Sequence, residues 1–205
     1  MSEDVYHGGM RYWQGLFDSR RLADRNSELN LKSHFTDDQK ERIGRAPLFF
    51  MATADANGRP SCSYRGGIPG FVRITGESTL AFPEYDGNGR FMSMGNLRVN
   101  PQVELLFIDF ENLKRIVVGG RATVHENHPL AAEFSGAQLI VEVAAERIVI
   151  NCPRYIHHMK ILEYSKYAPR GNYDPPDAEW KFREDRIDYL PRAGKGRNYP
   201  PPESG

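Results

Sequence analysis

The sequence predicts a mainly β protein, an antiparallel barrel of six or seven strands, closed or partly closed, with helices at its periphery. Three observations predict it. Apolar, aromatic and β-branched stretches of strand length recur at short spacing, at 47–55, 59–67, 70–74, 78–82, 103–110, 115–126 and 138–150. Asn57-Gly58 separates the first two, and both residue types tolerate the positive φ that a hairpin turn requires. A single helix-like stretch, 91–100, interrupts the series, so the βαβ units of a parallel sheet are few.

The flanking elements follow from local signals. In MRYWQGLFDSRRLAD, residues 10–24, Trp13, Leu16, Phe17 and Leu22 recur near helical spacing, which predicts a helix. Thr36 followed by Gln39 is a capping box that opens a second helix running to about Arg45. LAAEF, 130–134, predicts a helical turn, and Pro153–Ile161 another. In the returning strand RPSCSYRGG, alternation places Ser61, Ser63 and Arg65 on one face and Cys62 and Tyr64 on the other, with Cys62 read as core. From about Pro169 the chain holds seven of its fourteen prolines and reads as an extended tail with one helical turn near Trp180–Ile187. Tyr173, Trp180 and Tyr189 are its candidates for clasping a partner or covering a site. The expected organisation is one domain over 1–205, with N-terminal helices at about 10–45 and this tail.

Bulk properties narrow the function. Lys plus Arg equals Asp plus Glu at 27 each, and residues 1–46 are also balanced. No global field or basic arm therefore draws nucleic acid. No apolar run reaches the roughly 18 residues of a membrane span, and the start lacks the layout of a secretory signal. Two cysteines, Cys62 and Cys152, fit reduced thiols in a cytoplasmic protein. The six histidines lack metal-ligand spacing, and no metal is expected.

The chemistry concentrates in EYDGNGRFMSMGNLRVNP, residues 84–101. Gly87 and Gly89 let backbone amides approach a ligand closely. Asn88 donates from its amide, and Arg90 carries a planar fork of donors matched to phosphate oxygens. The helix that follows adds unpaired N–H groups and the positive end of its dipole. The stretch has neither the third glycine of a dinucleotide fingerprint nor the GK[ST] of a nucleotide-hydrolase loop. Arg65, beside Ser63, is a cation that must meet solvent or an anion. Arg115 opens another strand. Three arginines and a glycine turn suggest a phosphorylated, partly aromatic ligand, against the plainer reading of surface arginines at strand ends.

In order, FFMATADANGRPSCSYRGGIPGFVRI, TLAFPEYDGNGRFMSMGNLRVNPQVELLFID and RIVVGGRATV, over about residues 48–124, resemble the pyridoxamine 5′-phosphate oxidase-like FMN-binding family, of flavin split-barrel fold. YHGGMRYWQGLFDSRRLADR and NCPRYIHHMK are similar to segments of a bacterial branch distinct from the biosynthetic oxidase. The resemblance implies a homodimer with FMN at the subunit interface, and flavin-mediated redox of a small molecule, with a nicotinamide as candidate reductant. It places Ser63, Tyr64, Arg65 and Gly66 along the flavin and Phe82 and Pro83 at the strand end that meets it. Asn88 and Arg90 fall in the phosphate turn, and Arg115 falls where the oxidases carry a flavin-contacting glutamine. The oxidases have Ser-Arg-Lys in that turn where this chain has Gly-Arg-Phe. They also end in an Arg- and His-bearing product-binding segment without counterpart in RNYPPPESG, which argues against vitamin B6 oxidation. No catalytic residue is assigned. Non-catalytic FMN carriage, and haem binding or degradation on the same barrel, stand as alternatives.

Overall fold

A computed structural model describes residues 5–201. The chain runs through helices α1 (Gly8–Leu16) and α2 (Arg20–Asn30), strand β1 (Leu31–Lys32), helix α3 (Asp37–Arg45) and strands β2 (Leu48–Ala54), β3 (Pro60–Gly66), β4 (Arg73–Ile74) and β5 (Thr79–Tyr85). Helix α4 (Met92–Val99) and strands β6 (Gln102–Asp109), β7 (Lys114–His125) and β8 (Ala137–Ile150) complete the body. The fold is mainly β, as the strand spacing predicts.

All pairings are antiparallel, in the order β3-β2-β6-β7-β8-β5-β4, with β1 added to β8. The ladder wraps round but does not close, since β3 pairs only with β2 and β5 pairs only with β8 beyond Ala81. Paired residues lead from Tyr64 through Phe50, Leu106 and Val117 to Val149. Glu84 pairs with Leu139, ten positions earlier on that same strand. Such a stagger tilts the strands and carries the end of β3 round to the end of β5. This is a split barrel, and its seam lies between β3 and β5.

The interior is filled by Phe49, Met51, Leu80, Phe82, Leu105, Val118, Val141, Val143 and Ile148, all fully buried. Phe49 is the hub, with its ring 4.9 Å from Phe82, 5.1 Å from Phe107 and 5.7 Å from Phe71. At Gly120 the β7–β8 register shifts, and a Cβ there would stand 2.1 Å from the Ala144 carbonyl oxygen. Only glycine allows that close approach.

The local signals fare unevenly. The Thr36–Gln39 capping box is present in both directions at the start of α3. The β2–β3 hairpin also forms, but only Gly58 of the turn pair takes positive φ. The turn is held instead by Asp55, whose carboxylate accepts from the N–H groups of Asn57 and Arg59. The single helix expected over 10–24 is two, because Asp18 adopts φ 48° and breaks it, and α2 then continues to Asn30. Only Arg73–Ile74 of the 70–74 segment is strand, and 153–161 holds no helix.

Candidate functional site

Cys62 is exposed, not core. Register explains the error. Arg65 pairs with Phe49, Ser63 with Met51 and Ser61 with Thr53, so the polar face of β3 points to the inner side of the sheet. Cys62 and Tyr64 consequently point outward, and Tyr64 is 61% exposed, edge-on to Phe50.

The inner face of β3 is occupied by polar partners. The Arg65 guanidinium forms an ion pair with Glu84 on β5, and its Nε donates to Ser63 Oγ at 3.2 Å. Both charged side chains are largely buried, at 18% and 12% exposure. Arg65 thus meets an anion, as its position demands, but the anion is a side chain of this chain. Burial pushes the Glu84 carboxyl above its usual value, while Arg65 pulls it back down. Ser63 Oγ also lies 3.3 Å from Ser93 Oγ in the first turn of α4. Farther along that helix, Asn96 Nδ2 donates to the buried Thr53 hydroxyl at 3.0 Å. Met94 and Leu97 sink into the core, so α4 is fixed over the β2 and β3 end of the barrel.

The turn that feeds α4 is built for close approach. Gly89 takes φ 73°, and a Cβ on Gly87 or Gly89 would meet nothing within 4 Å. Asn88 Oδ1 accepts from the Arg90 N–H at 3.0 Å, and its amide N–H₂ has no partner among the described residues. Phe91 sits at φ 47°, ψ 31°, left-handed for a non-glycine residue, and provides no side-chain cap. Such strain, of order 1–3 kcal/mol, collects where a backbone shape is needed for function. The start of α4 thus has no side-chain cap, and two residues before it stands an exposed Arg90 whose guanidinium has no partner among the described residues.

Phe82 is fully buried in the Phe49 cluster and Pro83 is buried beside it, so their side chains serve the core. What they offer a ligand is the edge of β5 at 82–85, unpaired on the seam side. Gly66 closes β3 and is half-buried. Arg115 lies elsewhere. Its neighbour Ile116 is core, so Arg115 points to the outer face with Val117 and Arg147, lining a cavity of about 760 Å³ that α2 and Cys152 also border. Its Nε is buried without a hydrogen-bond partner.

The nine residues singled out by sequence thus divide. Ser63, Arg65, Asn88 and Arg90 gather round the seam and α4, whereas Tyr64 and Arg115 occupy the outer face. Glu84, Ser93 and Thr53 were missed; each is recognisable only through a partner distant in sequence. The His125 and His128 rings lie 5.1 Å apart, tilted to one another, and among the described residues no group of three or more His, Cys, Asp or Glu is placed to hold a metal ion. No helix among them is long and apolar enough to cross a membrane.

A split barrel with a glycine turn leading into a short helix at its seam defines the class. Residues 35–183 match the family model described as pyridoxamine 5′-phosphate oxidase, and the chain belongs to that family. The match begins after α1 and α2. No curated protein matches the chain. Among solved structures it is similar to HupZ of Group A Streptococcus, with 22% identity, TM-score 0.46, and coverage of 57% of this chain and 93% of that one. A candidate pyridoxamine 5′-phosphate oxidase from Lactobacillus delbrueckii gives 20% identity and TM-score 0.47, over 57% and 94%. HutZ, the haem storage protein of Vibrio cholerae, gives 18% and 0.41, over 57% and 95%.

Proposed function

We propose that this chain is an FMN-binding oxidoreductase, one domain acting as a cytoplasmic homodimer on a small-molecule substrate. The observation that carries the reading is the Gly87–Arg90 turn, where an exposed guanidinium without a partner among the described residues adjoins a helix start without a side-chain cap. Arg90 and the first N–H groups of α4 would grip the phosphate, with Asn88 donating from its amide. The Arg65–Glu84 pair and Ser63 hold β3, β5 and α4 in the relation that this grip needs. Bound FMN supplies hydride and electron transfer, and the protein supplies orientation and electrostatics.

The division of site residues supports the homodimer. A two-fold arrangement lets one chain give the phosphate turn and its partner give the outer-face Tyr64 and Arg115 to the same flavin. An arginine whose Nε is buried and unpaired suits an electron-rich ring edge. Two free, exposed cysteines suit a reducing compartment.

The test is the visible spectrum of purified protein, followed by titration with FMN and with riboflavin. FMN is expected to bind and give flavin absorbance. Arg90→Ala is expected to weaken FMN by at least about tenfold and riboflavin by less than about twofold, since only FMN carries the phosphate. Equal weak binding of both ligands by the wild type and the variant would overturn the reading. A Soret band on haem titration without flavin uptake would favour the haem alternative.

A further inference from the structure

The C-terminal segment is attached to the base of the phosphate turn. Lys181, in the 3₁₀ turn Glu179–Phe182, is only 5% exposed, and its ammonium is ion-paired with Asp86, the residue immediately before Gly87. The same ammonium donates to the hydroxyl of buried Tyr199 at 2.8 Å, and that hydroxyl lies 3.1 Å from Asp177. The other Asp86 oxygen accepts from Gln138 Nε2 at 3.4 Å. Burial alone would pull the Lys181 ammonium down, but its bonds to Asp86 and Tyr199 outweigh that and hold it charged. The sequence offers Tyr173, Trp180 and Tyr189 as the clasp. The structure uses Lys181 and Tyr199, while Tyr189 is 85% exposed and the Tyr173 hydroxyl donates to the Lys166 carbonyl just ahead of the tail.

We propose that Lys181 is a positioning residue for anion binding: by neutralising Asp86 and fixing the start of the Gly87–Arg90 turn, it makes phosphate binding and tail docking strengthen one another. The proposal rests on the reading of that turn as the phosphate site. An uncompensated Asp86 carboxylate would stand four residues from Arg90, where it repels a phosphate dianion and competes for the guanidinium. With Lys181 seated, that charge is cancelled and the backbone entering the turn is held. Linkage makes the effect reciprocal, so an anion on the turn must tighten the tail by the same factor.

The experiment uses full-length protein. FMN, riboflavin and inorganic pyrophosphate are titrated against the wild type, Lys181→Met, Asp86→Asn and the double variant, with trypsin cleavage at Arg186 as the readout of tail release. Lys181→Met is expected to weaken FMN about tenfold, to leave riboflavin nearly unchanged and to speed tail cleavage. Asp86→Asn added to it should recover most of the FMN affinity, because the repelling charge is gone. In the wild type, FMN and pyrophosphate should each slow cleavage. An Lys181→Met variant within twofold of wild type for FMN, or one that loses FMN and riboflavin equally, would overturn the proposal. If FMN fails but pyrophosphate still protects the wild-type tail and not the Lys181→Met tail, the coupling stands and the flavin reading falls. If neither anion protects the tail, the coupling falls.

Discussion

Arg65 and Glu84 are ion-paired across the barrel seam, joining the end of β3 to β5 where no ladder bond connects the two strands. Removing one partner of a buried pair leaves the other charged and poorly solvated. Arg65→Ala is therefore expected to cost on the order of 3 kcal/mol in chemical denaturation. Replacing both residues by apolar groups of similar volume should cost much less.

That variant also carries a pH signature. The Glu84 carboxyl already stands above its ordinary value because of burial, and Arg65 is the influence that lowers it. A carboxyl with a raised folded value contributes stability below its unfolded value, and loses that contribution as pH rises through the folded one. Without Arg65 the raised value climbs further. The deficit of Arg65→Ala relative to wild type should thus grow as pH rises through and above the ordinary carboxylate range, and a deficit that is flat with pH would refute this account.

Gly120 gives a backbone prediction. A Cβ at this position meets the Ala144 carbonyl, whereas at Gly119 it meets the ends of the flexible Arg147 and Glu104 side chains, at 3.2 and 3.5 Å. Gly120→Ala is expected to destabilise by roughly 3 kcal/mol, and Gly119→Ala by well under half of that. Similar denaturation midpoints for the two variants would show that the β7–β8 shift relaxes freely.

Arg115 separates stability from binding. Its Nε is a buried, unpartnered donor, so Arg115→Met should leave the ligand-free protein as stable or raise it by about 1 kcal/mol. On the flavin reading proposed above, adding FMN raises Tm, and the same change should reduce that rise. If FMN stabilises the Met variant as much as the wild type, Arg115 does not reach the flavin.

Thr36→Ala removes the capping-box bond that Thr36 Oγ1 accepts from the Gln39 N–H and keeps the one its own N–H donates to Gln39 Oε1; it should cost about 1 kcal/mol, with Thr36→Asn retaining most of the wild-type stability. Thermal unfolding of the three proteins decides it.

These sites also show how far the sequence could be read. The capping box, the Asn57-Gly58 hairpin and the glycine turn are contained within a few residues, so their signals stand in the sequence itself. Strand positions follow from composition, and the barrel from their spacing. Which face of β3 turns inward does not: the inner side there is lined by Glu84 and Ser93 rather than by apolar side chains, so the rule that places cysteine inside misassigned Cys62. Arg65 with Glu84 and Lys181 with Asp86 are pairs set by the stagger of the barrel and the path of the tail. Neither has a spacing that announces it. Asp18 breaks the first helix through a left-handed conformation that several other residues could equally adopt.

The seam has a consequence for motion. Because guanidinium, carboxylate and hydroxyl groups bridge it, β3 and β5 can part without breaking a main-chain ladder. Amide protons along that free margin should exchange with deuterium earlier than those of β7, which is flanked on both sides. Breathing of the barrel is thereby expected on the seam side, while the opposite wall stays shut.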